Sequence, residues 1–135
     1  MPVSALIIDD SPAARTIIRH HLSKLGCAVV GEAENASQAL RLFREKKPDI
    51  ITLDLMMPEV DGINTITAFH LMRSEAPKAI IIIASVLPFE KTRDNFLREG
   101  AFDYIVKPFN RFSFERVRQR LIRAFPQLAD NTFDA

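Results

Sequence analysis

The chain has 135 residues, 47% of them hydrophobic and 26% charged, which is typical of one domain with a single core. Its 18 basic and 17 acidic residues give a net charge of +1, without the basic excess of a dedicated nucleic-acid binder. The single cysteine excludes an internal disulfide and fits a reducing compartment. The longest aliphatic run, 79–84, is far shorter than the ~20 residues of a membrane helix. We therefore expect a soluble cytoplasmic domain without membrane or direct nucleic-acid contact.

Five short aliphatic runs recur along the chain and show little polar alternation. Runs of this kind are typical of strands that are buried on both faces of a parallel sheet. Helices must then cover both faces of the sheet. The predicted strands are 5–8, 28–30, 50–53, 80–83 and 104–106.

Between these runs, apolar residues return with the period of a helix. Ser11 is a predicted N-cap of the first helix, and Gly26 is its predicted end. The second helix should begin directly after Asn35, Ser113 is a predicted N-cap of the fifth, and Gly62 should allow a tight entry into the third. The predicted helices are 12–25, 36–46, a third from near 62 to before 77, 89–99 and 114–125.

The alternation of strand and helix, repeated five times, predicts a doubly wound α/β fold. We expect a flavodoxin-like parallel sheet with strand order 2-1-3-4-5 and five helices. Residues 1–126 should form this domain, and 127–135 should form a short polar tail or the start of a linker. Ligands in such folds bind at the carboxyl ends of the strands, so functional residues are sought there.

Three aspartates follow neighbouring strands of the predicted sheet. Asp9 and Asp10 come after the first strand and Asp54 after the third. Carboxylates brought into one crevice repel each other, and a hard divalent cation such as Mg²⁺ relieves that repulsion. An isolated Asp-Asp pair is equally consistent with a solvated loop. Asp54 and Lys107, at the ends of other strands, favour the metal site.

Strands four and five end in Ser85 and Lys107. The lysine supplies a compact positive charge that pairs with a carboxylate at rest and with a phosphoryl group later. The serine hydroxyl is a donor to a phosphoryl oxygen. With the acids, these residues predict phosphoryl transfer to an aspartate, and Asp54 is the best nucleophile because Asp9 and Asp10 form a pair suited to metal.

The motifs resemble the receiver domain of bacterial two-component response regulators, in particular the chemotaxis-regulator type. They are Leu-Ile-Ile-Asp-Asp-Ser at 6–11, Asp-Leu-Met-Met-Pro-Glu-Val-Asp-Gly at 54–62 and Lys-Pro-Phe at 107–109. The resemblance implies that Asp54 is the phosphoacceptor. It also implies that Mg²⁺ is held by Asp9, Asp10, Asp54 and the backbone carbonyl of Met56.

The same resemblance implies a switch beside the phosphoacceptor. Ser85 and Lys107 would bind the phosphoryl group, and the Tyr104 ring would turn inward behind the serine. The Lys107–Pro108 peptide bond would be cis, as is usual in the family. Met56 and Leu87, two residues after the phosphoacceptor and the switch serine, are apolar. We expect them to shield the aspartyl phosphate from water and to lengthen its lifetime.

Arginines are concentrated on the last helix, where a solvated face is the default interpretation. In the resembled family, the surface of the fourth helix, fifth strand and fifth helix carries the signal to a downstream protein, a fused output domain or a second receiver. Asp103 is then a candidate acceptor for an arginine across such an interface. The phosphoryl donor would be a sensor histidine kinase or a phosphotransfer protein. The arginines of this helix are Arg116, Arg118, Arg120 and Arg123, and Arg111 precedes them.

Two alternatives share parts of this pattern. A Mg²⁺-dependent phosphohydrolase of the haloacid-dehalogenase type needs a second acid two positions after its nucleophile, where this chain has Ser11. An FMN-binding protein needs a phosphate cradle, and Asp9 and Asp10 would repel that anion. The preferred prediction is a signalling domain with self-catalysed aspartyl phosphorylation and dephosphorylation, and not a conventional enzyme.

Overall fold

The computed structural model describes residues 2–110 and 112–128, in which five strands alternate with five helices. The parallel sheet has the predicted order β2-β1-β3-β4-β5. The strands are β1 (Ser4–Ile8), β2 (Ala28–Ala33), β3 (Ile50–Leu53), β4 (Ile80–Ser85) and β5 (Asp103–Val106). The helices are α1 (Pro12–Leu25), α2 (Ala36–Lys46), α3 (Thr65–Glu75), α4 (Glu90–Arg98) and α5 (Glu115–Ala124).

The sheet separates two apolar clusters because successive strand residues point to opposite faces. On β3, Ile50 packs with α1 and α5, whereas Ile51 packs with α2 and α3. Phe43 and Phe69 belong to the cluster on the α2 and α3 side of the sheet. None of the helices in the described ranges has both the length and the apolar character needed to cross a lipid bilayer.

The strand register brings the carboxyl ends of β1, β3 and β4 to the same level. Ile8 lies opposite Leu53, which lies opposite Ile83. The Asp54 amide continues the ladder by donating to the Ile8 carbonyl at 3.0 Å. The residues that follow these strands therefore meet at one edge of the sheet.

The predicted starts of the first two helices are confirmed. The Ser11 side chain accepts from the Ala14 amide, and Gly26 ends α1 with a φ of 99°. The Asn35 side chain accepts from the Gln38 amide at the start of α2. Local sequence therefore determines these boundaries.

The predicted start of the third helix near Gly62 is wrong. Asp61 and Gly62 have φ values of 55° and 73°, which are typical of a tight reversal. The turn is closed by an antiparallel bridge between Val60 and Ile63. Helix α3 begins only at Thr65, where Asn64 provides the cap.

The predicted cap of the fifth helix is also wrong. Ser113 Oγ accepts from the Asn110 amide at 2.9 Å and so belongs to the preceding turn. Helix α5 begins at Glu115, after Phe114, without a side-chain cap. Leu128, expected in the tail, is buried against the α1 and α5 layer. The remainder of the predicted tail, 129–135, and Arg111 lie outside the described residues.

Candidate functional site

Three carboxylates lie together where β1 and β3 end. One oxygen each from Asp9, Asp10 and Asp54 lies within 4.8 Å of the other two. Asp9 and Asp54 are 0% and 3% exposed, whereas Asp10 is open to solvent. The structure therefore brings together the three acids that the sequence placed at neighbouring strand ends.

Lys107 reaches this cluster from the end of β5. Its Nζ lies 2.6 Å from Asp9 Oδ2 and 3.4 Å from Asp54 Oδ2. The Lys107 amide donates to the Ser85 carbonyl at 2.8 Å, which extends the pairing of β4 with β5 up to the site. The Lys107–Pro108 bond is cis, as the resemblance implied.

Two of the aspartates are oriented by the chain that follows them. The Ser11 amide donates to Asp9 Oδ1 at 2.9 Å, and the Met56 amide donates to Asp54 Oδ1 at 3.0 Å. In each case one carboxylate oxygen is held by backbone and the other faces Lys107. Both side chains therefore have a defined direction within the site.

In the described part of the chain, the site carries more negative than positive charge, since three carboxylates face one ammonium group. Burial raises the pKa of Asp54 above its ordinary value, the charge of Asp9 acts in the same direction, and the Met56 amide and Lys107 oppose both. A group of hard oxygen donors with excess negative charge fits Mg²⁺. The residues present are therefore suited to that ion.

Ser85 and Tyr104 are connected through the loop after β4. The Leu87 amide donates to Ser85 Oγ at 3.4 Å, and the Tyr104 hydroxyl donates to the Leu87 carbonyl at 2.7 Å. The Tyr104 ring is 3% exposed and so lies in the inward orientation. Burial raises the pKa of its phenol, which keeps the hydroxyl protonated as a donor.

The two predicted lifetime residues lie on the loops around the acids. Met56 is 52% exposed, and Leu87 is partly buried. Neither side chain offers a polar atom that would orient a water molecule for attack.

The family model described as the response regulator receiver domain matches residues 5–120 of the sequence. The chain belongs to this family. It is 40% identical over 104 residues to the chemotaxis protein CheY of Bacillus subtilis, a match that covers 77% of this chain and 84% of the relative.

Solved receiver structures superpose closely on this one. The REC domain of the response regulator AraT from Geobacillus stearothermophilus is 25% identical, with a TM-score of 0.82 and coverage of 94% and 98% of the two chains. A CheX-CheY-BeF3-Mg²⁺ complex from Borrelia burgdorferi is 28% identical, with a TM-score of 0.79 and coverage of 93% and 90%. The protein is a receiver domain of two-component signalling, and the phosphohydrolase alternative is not supported.

The receiver's arginine-rich face differs from the interface expected from its sequence. Asp103 accepts from Arg116 at 2.6 Å and from Arg120 at 2.8 Å. Its acceptor capacity is therefore used within the chain, and no arginine from a partner is required. Leu97 of α4 lines the same surface recess as Asp103, Arg116 and Arg120, and it is partly exposed.

Sequence reasoning missed one ion-pair network at the edge of the site. Glu32, near the end of β2, accepts from Arg15 at 3.0 Å and from Arg19 at 2.7 Å. The two arginines are four residues apart on α1 and so share one face of the helix. The predicted strand order places β2 beside β1, which directly precedes α1. Two arginines one turn apart on α1 were therefore an indication that Glu32 on β2 has a basic partner.

Proposed function

We propose that Asp54 accepts a phosphoryl group from a sensor histidine kinase or a phosphotransfer protein. The main support is that Asp54 is almost fully buried, yet shares with Asp9 the one ammonium contact that it makes among the described residues. A buried carboxylate whose charge is incompletely balanced is suited to react at a site that binds cations. Family membership provides the second support.

Mg²⁺ is the cofactor of this proposal. Asp9, Asp10, Asp54 and the Met56 carbonyl would hold it. When bound, the ion would offset the repulsion between the acids and the oxygens of an incoming phosphoryl group.

The proposed reaction is a transfer between two nucleophiles. An Asp54 carboxylate oxygen forms a bond to phosphorus, while the bond from phosphorus to the donor nitrogen breaks and its electrons leave with the donor imidazole. Lys107, which now contacts Asp54 Oδ2, would pair with a phosphoryl oxygen. Ser85, whose hydroxyl lies beside the Leu87 amide, would donate to another.

Phosphorylation would act on the surface formed by α4, β5 and α5. Ser85, Leu87 and Tyr104 form a continuous hydrogen-bonded path toward this face. No residue of α4 is fully buried, and Phe96 of this helix packs edge-on against Phe69. We propose that the face binds a downstream protein, a fused output domain or a second receiver, and that the protein works in the cytoplasm.

Substitution of the phosphoacceptor tests the proposal directly. Wild type incubated with Mg²⁺ and acetyl phosphate should gain one phosphoryl group by intact mass, whereas Asp54→Asn should gain none. Asp61→Asn is the matched control, because Asp61 is an exposed acid on the loop after β3. Phosphoryl incorporation into Asp54→Asn would contradict the assignment, and continuous turnover of the donor would indicate a phosphohydrolase.

The lifetime of the aspartyl phosphate is a separate part of the proposal. Met56→Asn combined with Leu87→Glu places polar atoms where apolar side chains now flank the acids. We expect dephosphorylation to become faster, because the introduced polar groups can hydrogen-bond to an attacking water molecule. Ile66→Asn, at another exposed apolar position, should leave the rate unchanged. A double variant that decays at the wild-type rate, or more slowly, would contradict the proposed shielding.

A further inference from the structure

Among the described residues of α1, Arg15 alone hydrogen-bonds both to Glu32 and to the backbone of Asp9. Its Nε donates to Glu32 Oε1 at 3.0 Å, and its Nη1 donates to the backbone carbonyl of Asp9 at 2.7 Å. The Arg15 side chain is only 18% exposed. Because a guanidinium group is planar and its donors are rigidly spaced, these two bonds orient the Asp9 carbonyl relative to β2.

The peptide that accepts this bond connects two of the site carboxylates. The Asp9 side chain has its own partners in the Ser11 amide and Lys107. Within residues 2–110 and 112–128, by contrast, no hydrogen bond holds the Asp10 carboxylate. The direction of Asp10 therefore depends on its backbone, and that backbone begins at the carbonyl that Arg15 binds.

The negative charge of Glu32 explains how a positively charged side chain, Arg15, can orient this peptide beside a metal site. An unpaired arginine next to three carboxylates would compete with a divalent ion for their charge. The Glu32 carboxylate balances Arg15 instead, and Arg19 adds a second contact to the same acid at 2.7 Å. The pair can then orient the peptide while the site keeps its negative charge.

We propose that Arg15, held by Glu32, is a positioning residue that sets the Asp9–Asp10 peptide for Mg²⁺ binding. This inference rests on the proposed function, since it concerns the same metal site. Arg15 itself touches neither the ion nor the phosphoryl group. Partners that orient metal ligands commonly change metal affinity by about tenfold or more when they are removed.

The chain offers a matched pair of variants for the test. Arg15→Met and Arg19→Met each remove one ion pair to Glu32 and keep an apolar stem, but only Arg15 reaches Asp9. The Mg²⁺ dissociation constant is measured by calorimetry without a phosphodonor, and thermal unfolding is followed in chelator. We expect the constant to rise roughly tenfold in Arg15→Met and to stay within about twofold of wild type in Arg19→Met, where the pair is more exposed.

Two further variants separate positioning from a general loss of stability. Glu32→Gln leaves Arg15 unbalanced and should also weaken Mg²⁺ binding, even if Arg15→Met does not fold. Arg15→Lys keeps the charge but lacks the fork of donors, so its affinity should lie between those of wild type and Arg15→Met. Equal Mg²⁺ affinities in wild type, Arg15→Met and Glu32→Gln would overturn the inference, including when their unfolding temperatures differ.

Failure of this inference can be distinguished from failure of the proposed function. If wild type binds Mg²⁺ and phosphorylates Asp54 while Arg15→Met binds the ion equally well, only the role of Arg15 is overturned. If wild type binds no Mg²⁺, the proposed cofactor and the positioning role fail together.

Discussion

Asp54 and Asp103 are equally buried, at 3% exposure each, but their charges are balanced to different degrees. Asp103 accepts from two arginines, Arg116 and Arg120, and from the Tyr104 amide. Asp54 accepts from one amide and has a longer contact to a lysine that lies closer to Asp9. The charge of Asp103 is therefore balanced within the chain, whereas the balance of charge at Asp54 depends on what binds at the site.

The pKa values of the two groups shift in opposite directions for this reason. Burial alone would raise the pKa of Asp103, but the bonds from Arg116, the Tyr104 amide and Arg120 together lower it. For Asp54, burial and the Asp9 charge raise the pKa despite the opposing contacts. Burial therefore does not by itself identify a functional acid. The balance of donors and charges around the acid separates a structural carboxylate from a reactive one.

Removal of the Asp103 charge should cause the largest loss of stability. Asp103→Asn leaves two arginines without their acceptor, and we expect it to lower the free energy of unfolding by about 3 kcal/mol. Urea denaturation in chelator measures the change. Asp54→Asn is the matched control and should show no comparable loss, because it removes one of three mutually repelling carboxylates. A similar destabilisation of both variants would show that the two acids are equivalent.

The same two variants should differ in pH dependence. The lowered pKa of Asp103 stabilises the fold above the unfolded-state pKa of about 3.9, and this contribution disappears as pH falls through the folded-state pKa. The raised pKa of Asp54 has the opposite effect, a contribution present in acid and lost as pH rises. The difference in the free energy of unfolding between wild type and Asp103→Asn should therefore shrink in acid. In metal-free buffer, the free energy of unfolding of Asp54→Asn should increase relative to that of wild type as pH rises.

Lys107→Met should reveal the unbalanced charge of the acid cluster. Without its ammonium group, we expect the free energy of unfolding to fall by about 2 kcal/mol in metal-free buffer and to recover when Mg²⁺ is added. Arg116→Met removes a cation from Asp103 and serves as the control, since Mg²⁺ should not restore its stability. Recovery of both variants, or of neither, would contradict the difference between the two clusters.

Thr52 is a third buried polar residue and has the smallest expected effect. Its hydroxyl lies on β3, two residues before Asp54, and lacks a hydrogen-bond partner among the described residues. Thr52→Val should raise the free energy of unfolding by about 1 kcal/mol without changing phosphorylation of Asp54. The change is measured by urea denaturation together with intact mass. A destabilised Thr52→Val would indicate that the hydroxyl is satisfied in solution.

Much of the architecture was predictable because it depends on local patterns. The aliphatic runs predicted all five strands in the described chain, and Ser11, Gly26 and Asn35 marked helix boundaries correctly. The two errors at helix starts occurred where residues compete for several roles. Gly62 suits a turn as well as a helix entry, and Ser113 bonds to Asn110 in place of capping α5.

The positions of the strands along the chain, and the residues that follow their carboxyl ends, could be read from local patterns, because buried runs and caps are properties of neighbouring residues. Asp9, Asp10, Asp54, Ser85 and Lys107 are the residues identified in this way. The balance of charges, by contrast, became visible only in the folded protein. Asp103 is compensated by residues 13 and 17 positions later in the chain, and Glu32 by residues 17 and 13 positions earlier. Such pairings depend on how the helices pack against the strands, and no local sequence pattern specifies that packing.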